Sequence, residues 1–445
     1  MNKLIYLALA AVCFSMAGCS NDDAPNIPPT SPDDFESADG QLVVQLGATS
    51  QAQTAITRSI IKGDDITNLD QLGIFAINRS ATLTQNDIDN WQNSSSNILL
   101  YNVLAKGKSD APFDPSVHTT GHKVHLYKNQ TDANNNTATV YYYPMQGSQN
   151  FDFFGYYPYS EGTPSFSNGK IIVTFNDLDG SEDIITGSAP VAPEVDEGDI
   201  YVKLSESNVA EKGTPGQKLN GYNAKYIRKI KYHNWLIDDK HLSDTKKPFV
   251  PNIEFKHKAS LLYFQVITAK DQAGDPSDPY NDRTEAKDLR VSNIQVKSFK
   301  KAILTLPDNT VAWNTPATLP IQKLNDDNIT IWNTINEVAQ VTPQEYNQEK
   351  HNATNIDASY TPCGYMMMQP GVASYEISLT VHAPSSGGGI PQTQDVTLTL
   401  NAPNSLFEAG KSYNVRISLY ALQKVYLDAT LTDWVADENI DAPIE

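Results

Sequence analysis

The sequence predicts an all-β protein, and three observations lead to this prediction. Short runs rich in β-branched and aromatic residues recur along the chain, bounded by Gly, Pro, Asn or Ser, as at Phe151–Tyr157 and Lys170–Phe175. Apolar and polar residues alternate over Tyr413–Leu419 and again over Val425–Leu431, which predicts a hairpin with one buried face. Helix signals are sparse and do not alternate with the strands, which argues against a parallel α/β sheet.

The predicted elements follow in chain order. The first strand covers Gln41–Gly47, where Leu42, Val44 and Leu46 alternate with Val43 and Gln45. The apolar run Leu72–Ile77 predicts a strand buried on both faces. Further strands are predicted at Val140–Tyr143, Phe255–Val266, Ile294–Val296, Tyr375–Val381 and Val396–Leu400.

Helices are expected to be few and short. One turn or two is predicted around Asp87–Trp91, and another short helix from Thr342, where Thr342-Pro343-Gln344-Glu345 has the residues of a capping box. The polar stretch Pro190–Pro248 lies between two strand-rich halves and predicts a domain junction. The predicted domains are therefore residues 41–190 and 191–445.

The N-terminus has the features of an export signal. Lys3 precedes an apolar run, Leu4–Met16, that is too short to span a bilayer, so residues 1–18 are predicted to be a signal peptide. Met16-Ala17-Gly18-Cys19 resembles a bacterial lipobox, which predicts a lipid on Cys19; the alternative is an ordinary signal peptide with an incidental cysteine. Residues 19–40 are polar and rich in proline, which predicts a disordered tether.

Composition excludes several classes of protein. The formal net charge of −19 argues against nucleic acid and anionic membranes as partners. Of the three cysteines, Cys13 lies in the signal peptide and Cys19 in the lipobox, so Cys363 alone remains and no disulfide framework is expected. No P-loop, dinucleotide fingerprint or nucleophile elbow occurs. The sequence therefore predicts a protein that is not an enzyme and has no cofactor.

Two polar segments are weak candidates for metal binding. The three imidazoles within His118–His125 lack a nearby carboxylate or thiolate at metal-ligand spacing, so a solvated strand end or loop is favoured. The oxygen-rich segment Asp177–Asp183 lacks the spacing of an EF-hand and is interpreted as a polar turn. No metal site is predicted.

Six segments occur in the order seen in fimbrillin-like proteins. They are Leu72-Gly73-Ile74-Phe75-Ala76, Tyr142-Tyr143-Pro144, Phe151–Pro158, Asp183–Gly187, Phe255–Ala259, and Phe407–Tyr413 with the later Thr432-Asp433-Trp434. The likeness covers the chain beyond Gly40, and Asp22-Asp23 resembles the acidic surface-export signal of Bacteroidales-type lipoproteins. The chain thus resembles the fimbrillin family.

This resemblance implies a fold and a function. The fold would be two transthyretin-like β-sandwich domains in tandem, and the function that of a structural or adhesive subunit of a type V pilus on the cell surface of Bacteroidales. The precursor would be held in the outer membrane by the lipid on Cys19. An arginine-specific protease would then cut after the first strand, and the vacated groove would accept a donor strand from another pilus subunit.

The resemblance also directs attention to particular residues. Thr57-Arg58-Ser59 lies in a loop-like context after the first predicted strand, so the cut is predicted between Arg58 and Ser59; the alternative is an ordinary solvated arginine. The candidate donor strand is the segment with Val425, Leu427, Ala429 and Leu431 on one face, and its alternative is a plain core strand.

Two questions stay open at the level of sequence. The chain does not distinguish a stalk, tip or anchor subunit, or a host protein from a glycan as ligand. A surface glycan-binding lipoprotein that does not polymerise is the alternative function, since its tether, acidity and aromatic content would be the same. An exposed aromatic platform would favour that alternative.

Overall fold

The protein is described here from a computed structural model, which covers residues 34–37, 40–50, 71–92, 97–108, 121–145, 149–159, 164–268, 289–322, 361–383, 392–421 and 424–432. Its first strands are β1 (Leu46–Ser50), β2 (Leu72–Asn78), β3 (Ile98–Gly107), β4 (His122–Tyr127), β5 (Phe151–Tyr157), β6 (Ser165–Ser167), β7 (Lys170–Phe175) and β8 (Ile185–Ser188). Short strands follow at β9 (Val195–Asp196), β10 (Tyr201–Leu204), β11 (Ala210–Lys212) and β12 (Lys218–Leu219). The later strands are β13 (Asn252–His257), β14 (Ser260–Thr268), β15 (Arg290–Leu306), β16 (Thr310–Pro320), β17 (Thr361–Met368), β18 (Ser374–Ala383), β19 (Gln392–Asn401), β20 (Ser412–Ala421) and β21 (Lys424–Thr432).

Three α-helices accompany these strands in the described part of the chain: α1 (Gln85–Asp89), α2 (Gln130–Asn134) and α3 (Ala224–Lys240). The all-β prediction is confirmed. At α1, Thr84 and Asp87 form a capping box, with Thr84 N donating to Asp87 Oδ2 at 2.8 Å. The short helix predicted at Asp87–Trp91 therefore exists, slightly earlier in the chain. The helix predicted from Thr342 lies outside the described residues.

Seven strands close into a barrel in the order β1-β13-β8-β5-β2-β3-β4. A four-stranded sheet has the order β17-β14-β20-β21, and a six-stranded sheet has the order β19-β18-β15-β7-β6, with β16 also paired to β15. The predicted C-terminal hairpin is β20 and β21, paired antiparallel from Ser412–Thr432 to Ala421–Lys424. The register agrees with the alternation in the sequence, because Val415 and Ile417 lie opposite Ala429 and Leu427.

Three large apolar clusters make up most of the core in the described part of the chain. One fills the barrel and includes Leu46 of β1, Leu100 of β3 and Phe255 of β13. The second lies among β14, β15, β18 and β20. The third joins β2 and β5 to β7 and β15, so every residue of β2 is buried, as the apolar run predicted.

Strand pairing crosses the predicted domain boundary between residues 190 and 191 in both directions. Strand β13 pairs with β8 and with β1, and so belongs to the barrel. Strand β7, which precedes the boundary, pairs with β15 in the six-stranded sheet. The division at 190 and the tandem transthyretin-like sandwiches stay predictions.

The expectation of short helices only is wrong at α3, which has 17 residues and lies inside the stretch interpreted as a polar junction. Asn223 caps it by accepting a hydrogen bond from Tyr226 N at 2.9 Å. Its inner face buries Tyr226, Ile227 and Ile230 in the core of the barrel. None of the helices in the described segments is long and apolar enough to cross a membrane.

Candidate functional site

The first strand is inserted between two others in the barrel. β1 pairs in parallel with β13, with Gly47 opposite Asn252, and antiparallel with β4, with Leu46 opposite Val124. Both edges of β1 are therefore hydrogen-bonded. Removing β1 would leave unpaired backbone groups on β4 and on β13 at the same time.

The residues before β1 extend this arrangement. Val44 N donates to the carbonyl oxygen of Tyr141 at 2.8 Å, and Tyr143 N donates to that of Leu42 at 2.9 Å. The first predicted strand, Gln41–Gly47, is thus extended backbone whose regular strand begins at Leu46. Its pairing partner is the Tyr142-Tyr143 segment, one of the six fimbrillin-like motifs.

Four alternate side chains, those of Leu42, Val44, Leu46 and Ala48, project into the barrel core and are at most 5% exposed. Removing them would open an apolar groove in addition to the two strand edges. Asn252 of β13 lies close to Gly47 of β1. A Cβ atom at Gly47 would come within 2.7 Å of Oδ1 of Asn252, so a larger residue at that register position would have to displace the Asn252 side chain.

Two further motifs are neighbours in space. Asp183–Gly187 and Phe255–Ala259 meet where β8 pairs with β13, and His257 lies opposite Ile185. Beside this pair, Nδ1 of His257 lies 2.6 Å from Oδ2 of Asp183, with both side chains almost fully buried. At Gly187 a Cβ would come within 2.5 Å of the carbonyl oxygen of Glu254, so only glycine permits this approach of the two strands.

The last motif, Phe407–Tyr413, leads into β20 and contacts the start of β14. Phe407 is fully buried, and Glu408 N donates to the hydroxyl of Tyr413 at 2.8 Å. Ser260 Oγ donates to the carbonyl oxygen of Glu408 at 2.8 Å, which connects this motif to the first residue of β14. The motifs recognised separately in the sequence therefore form contiguous parts of the fold.

The candidate donor residues lie in β21, at one end of the four-stranded sheet. Val425 and Ala429 are buried, Leu427 packs partly against the core, and Leu431 is 40% exposed. Among the described strands β21 pairs with β20 alone, whereas β1 pairs with two strands. Detaching β21 breaks one ladder of nine residue pairs, whereas removing β1 breaks two ladders, of four and three pairs. Whether it is donated stays a prediction.

Cys19, Arg58 and Ser59 lie outside the described residues. Lipidation at Cys19 and cleavage after Arg58 therefore stay predictions.

In the described residues, the polar segments considered for metal binding form a turn and part of a strand. In the segment Asp177–Asp183, Asp179 accepts from Ser181 N at 2.9 Å and Glu182 accepts from Asp179 N at 3.1 Å, which is the pattern of a polar turn. His122 and His125 lie on β4, whereas His118 lies outside the described residues. Within the described ranges no group of three or more His, Cys, Asp or Glu side chains could hold a metal ion. Cys363 is fully buried, and burial raises the pKa of its thiol, which disfavours the reactive thiolate.

Sequence reasoning missed α3 and its polar contacts. His233 and Asn234 are buried on the core side of α3, where Nδ1 of His233 accepts from Tyr201 N at 3.1 Å. Burial lowers the pKa of His233, in agreement with a neutral ring that accepts this hydrogen bond. The signal that could have found α3 was Asn223 followed by apolar residues at helical spacing, at 226, 227, 230 and 237.

Fold and site together define an all-β protein whose N-terminal strand completes a barrel that later strands build. No protein-family model and no curated protein matches the chain. Solved structures do match it. One from Bacteroides uniformis, described as a cell adhesion protein, is 14% identical, with a TM-score of 0.41, over 90% of this chain and 100% of that one.

Two further solved structures are described as fimbrial. A fimbrial protein from Bacteroides vulgatus is 12% identical, with a TM-score of 0.40, over 88% of this chain and 99% of its own. The fimbrial anchor protein Mfa2 from Porphyromonas gingivalis is 7% identical, with a TM-score of 0.30, over 87% and 98%. Such neighbours are of the kind that the resemblance to the fimbrillin family predicted. At these identities and TM-scores no residue role is transferred from them.

Proposed function

We propose that this protein is a structural or adhesive subunit of a cell-surface pilus, of the type V found in Bacteroidales. It is exported as a lipoprotein precursor and held in the outer membrane by a lipid on Cys19. An arginine-specific protease cuts after Arg58, β1 leaves the barrel, and a donor strand of another subunit takes its place.

The observation that carries this proposal is the position of β1. It is the first strand in the described part of the chain, yet it lies between β4 and β13, and Leu42, Val44 and Leu46 of this segment fill the core. Arg58 is the first lysine or arginine after Lys3, so an arginine-specific protease has one early target, which follows β1. A cut there separates β1 from the rest of the chain without interrupting any described strand.

Losing β1 would leave unpaired strand edges and an open apolar groove, and strand exchange would remove both. A donor strand would supply hydrogen bonds to β4 and β13, and its alternate apolar side chains would fill the groove. Repeating this contact from head to tail gives a filament. The proposed donor is β21, with Val425, Leu427, Ala429 and Leu431 as the residues that enter the neighbouring subunit.

Limited digestion tests the proposed cleavage. The soluble form, residues 20–445, is treated with an arginine-specific protease and followed by mass spectrometry and unheated gel electrophoresis. We expect an early cut after Arg58 and a ladder of detergent-resistant oligomers, and we expect the Arg58→Ala variant to give neither. Arg79→Ala is the control, because it removes an arginine that is paired with Asp152 between β2 and β5. Oligomers formed by Arg58→Ala as readily as by the wild-type protein would contradict the proposal.

One observation favours the alternative of glycan binding. Trp235 on α3 is 47% exposed, and its ring centroid lies 5.4 Å from that of Tyr232. Exposed aromatic faces can stack on sugar rings. If this pair binds glycans, Trp235→Ala should weaken retention on an oligosaccharide affinity gel by about tenfold. Leu406→Ala, at a residue that is 46% exposed, is the matched control. Equal retention of the wild-type protein and Trp235→Ala would rule out this platform.

A further inference from the structure

The chain segment just before β1 is bound to α3 through two adjacent side chains. Nε and Nη2 of Arg228 both donate to Oε1 of Glu36, at 2.9 and 2.7 Å. Nζ of Lys231, one helical turn further on, lies 3.2 Å from the centre of the Phe35 ring. Arg228 and Lys231 thus hold a carboxylate and an aromatic ring that are consecutive in the sequence.

These contacts are largely shielded from water. The side chain of Glu36 is 12% exposed and that of Arg228 is 19% exposed. Charge-assisted hydrogen bonds and cation–π contacts are stronger when they are desolvated than when they lie in open solvent. Burial lowers the pKa of Lys231 to about 8, while the negative charge of Glu36 acts in the opposite direction. The Phe35 ring also has an apolar neighbour. The ring of Phe249 packs against it edge-on, with 6.5 Å between the two ring centroids.

The same segment is directly connected to β1. Val43 N donates to the carbonyl oxygen of Phe35 at 3.0 Å, and Nε2 of Gln45 donates to that of Asp34 at 3.3 Å. Arg228 also donates to the carbonyl oxygen of Gly40, at the turn between the two parts. Because of these bonds, Phe35 and Glu36 cannot leave α3 without disturbing the start of the first strand.

Opposite net charges also attract the N-terminal segment to α3. Residues 19–57 contain six acidic residues and no lysine or arginine, whereas α3 contains five lysines and arginines and two aspartates. The other basic groups near this face of α3 are engaged elsewhere, since Lys225 and Lys229 both pair with Glu197. Arg228 and Lys231 are the pair directed at the N-terminal segment.

We propose that α3 carries a binding site for an aromatic–carboxylate dipeptide, occupied in the uncut chain by Phe35-Glu36, and that this site sets the rate at which the cut N-terminal segment leaves the barrel. This inference rests on the proposed function, because it assigns a regulatory step to the same strand exchange. Cleavage alone then leaves the segment in place. Release of the cut segment requires that the contacts with α3 break together with the hydrogen bonds of β1 to β4 and β13.

The release rate of the cut segment tests this site. The full soluble chain, residues 20–445, is labelled with a fluorophore at its N-terminus and cut after Arg58. An excess of unlabelled peptide with the sequence of residues 20–58 is then added, and release is followed by fluorescence anisotropy. We expect Glu36→Gln to accelerate release by about tenfold or more, since it removes a charge-assisted contact. Phe35→Leu, which keeps an apolar side chain but removes the ring, is expected to have a smaller effect in the same direction.

Two controls separate this site from general loss of stability. Arg79→Ala removes an arginine–carboxylate pair elsewhere on the barrel and is expected to leave the release rate unchanged. The charge-reversed double variant Glu36→Lys with Arg228→Glu is expected to release the cut segment more slowly than either single variant, because it restores a pair of opposite charges. Thermal unfolding before cutting checks that each variant is folded.

The possible results have different meanings. Release rates of Glu36→Gln and Phe35→Leu equal to that of the wild-type protein would overturn the α3 site and leave the proposed pilus function intact. A segment that stays bound in every variant after complete cutting would contradict strand removal itself, and with it both proposals.

Discussion

A chain that begins at Ser59 is expected to unfold with a free energy lower by about 5 kcal/mol or more than that of the chain 20–445. Leu42, Val44 and Leu46 are at most 5% exposed in the barrel core, and burying one such side chain contributes about 1.5–3 kcal/mol. The truncated chain also lacks the two ladders of β1. Denaturant unfolding at low protein concentration measures the difference.

The truncated chain should also associate, because β4 and β13 then present unpaired edges beside an apolar groove. A synthetic peptide of residues 40–52 should restore a stable monomer, seen by size-exclusion chromatography with light scattering. The same peptide with Leu46→Asp should fail, since it would bring an unpaired charge into the core. A truncated chain as stable and monomeric as the longer one would show that β1 is dispensable for the barrel, and strand exchange would lose its physical basis.

Asp183→Ala is expected to lower the free energy of unfolding by about 3–5 kcal/mol. Asp183 lies 2.6 Å from His257 with both side chains almost fully buried, so the substitution leaves a buried polar ring without the carboxyl group beside it. The pair joins the ends of β8 and β13, and β13 is also the parallel neighbour of β1. Chemical denaturation monitored by far-UV circular dichroism gives the value.

A variant with an apolar pair at these two positions separates the polar contact from the volume that the two side chains fill. Asp183→Leu combined with His257→Phe should be less destabilised than Asp183→Ala alone, because an apolar pair leaves no unpaired polar group. As a control, Arg79→Ala breaks a partly exposed pair and should cost about 1 kcal/mol or less. A loss of under 1 kcal/mol in Asp183→Ala would mean that the buried pair does not hold the two strands together.

Local patterns in the sequence predicted much of the fold correctly. The alternation of Tyr413–Leu419 with Val425–Leu431 predicted a hairpin whose register the structure reproduces. The apolar run Leu72–Ile77 predicted a strand buried on both faces, and every residue of β2 is buried. These predictions succeeded because adjacent residues show how a strand is buried. Apolar residues alternate with polar ones in a strand with one buried face, and they form a continuous run in a strand buried on both faces.

The long helix was missed for a physical reason. The core side of α3 carries His233 and Asn234, whose polar groups are satisfied by backbone atoms of Tyr201 and Lys247. These residues interrupt the apolar periodicity that identifies an amphipathic helix. The outer side is rich in lysine, so the whole stretch resembled a polar connection.

The sequence by itself determined the class of fold, the approximate strands and the candidate residues Cys19, Arg58, Ser59 and the donor set. Only the tertiary structure decided that β1 pairs with β13 as well as β4, that Asp183 meets His257, and that Phe35-Glu36 binds α3. A strand or a turn is encoded by adjacent residues, whereas these contacts join segments far apart in the chain. Such contacts depend on how all the intervening elements pack, and this packing cannot be predicted from a local sequence pattern.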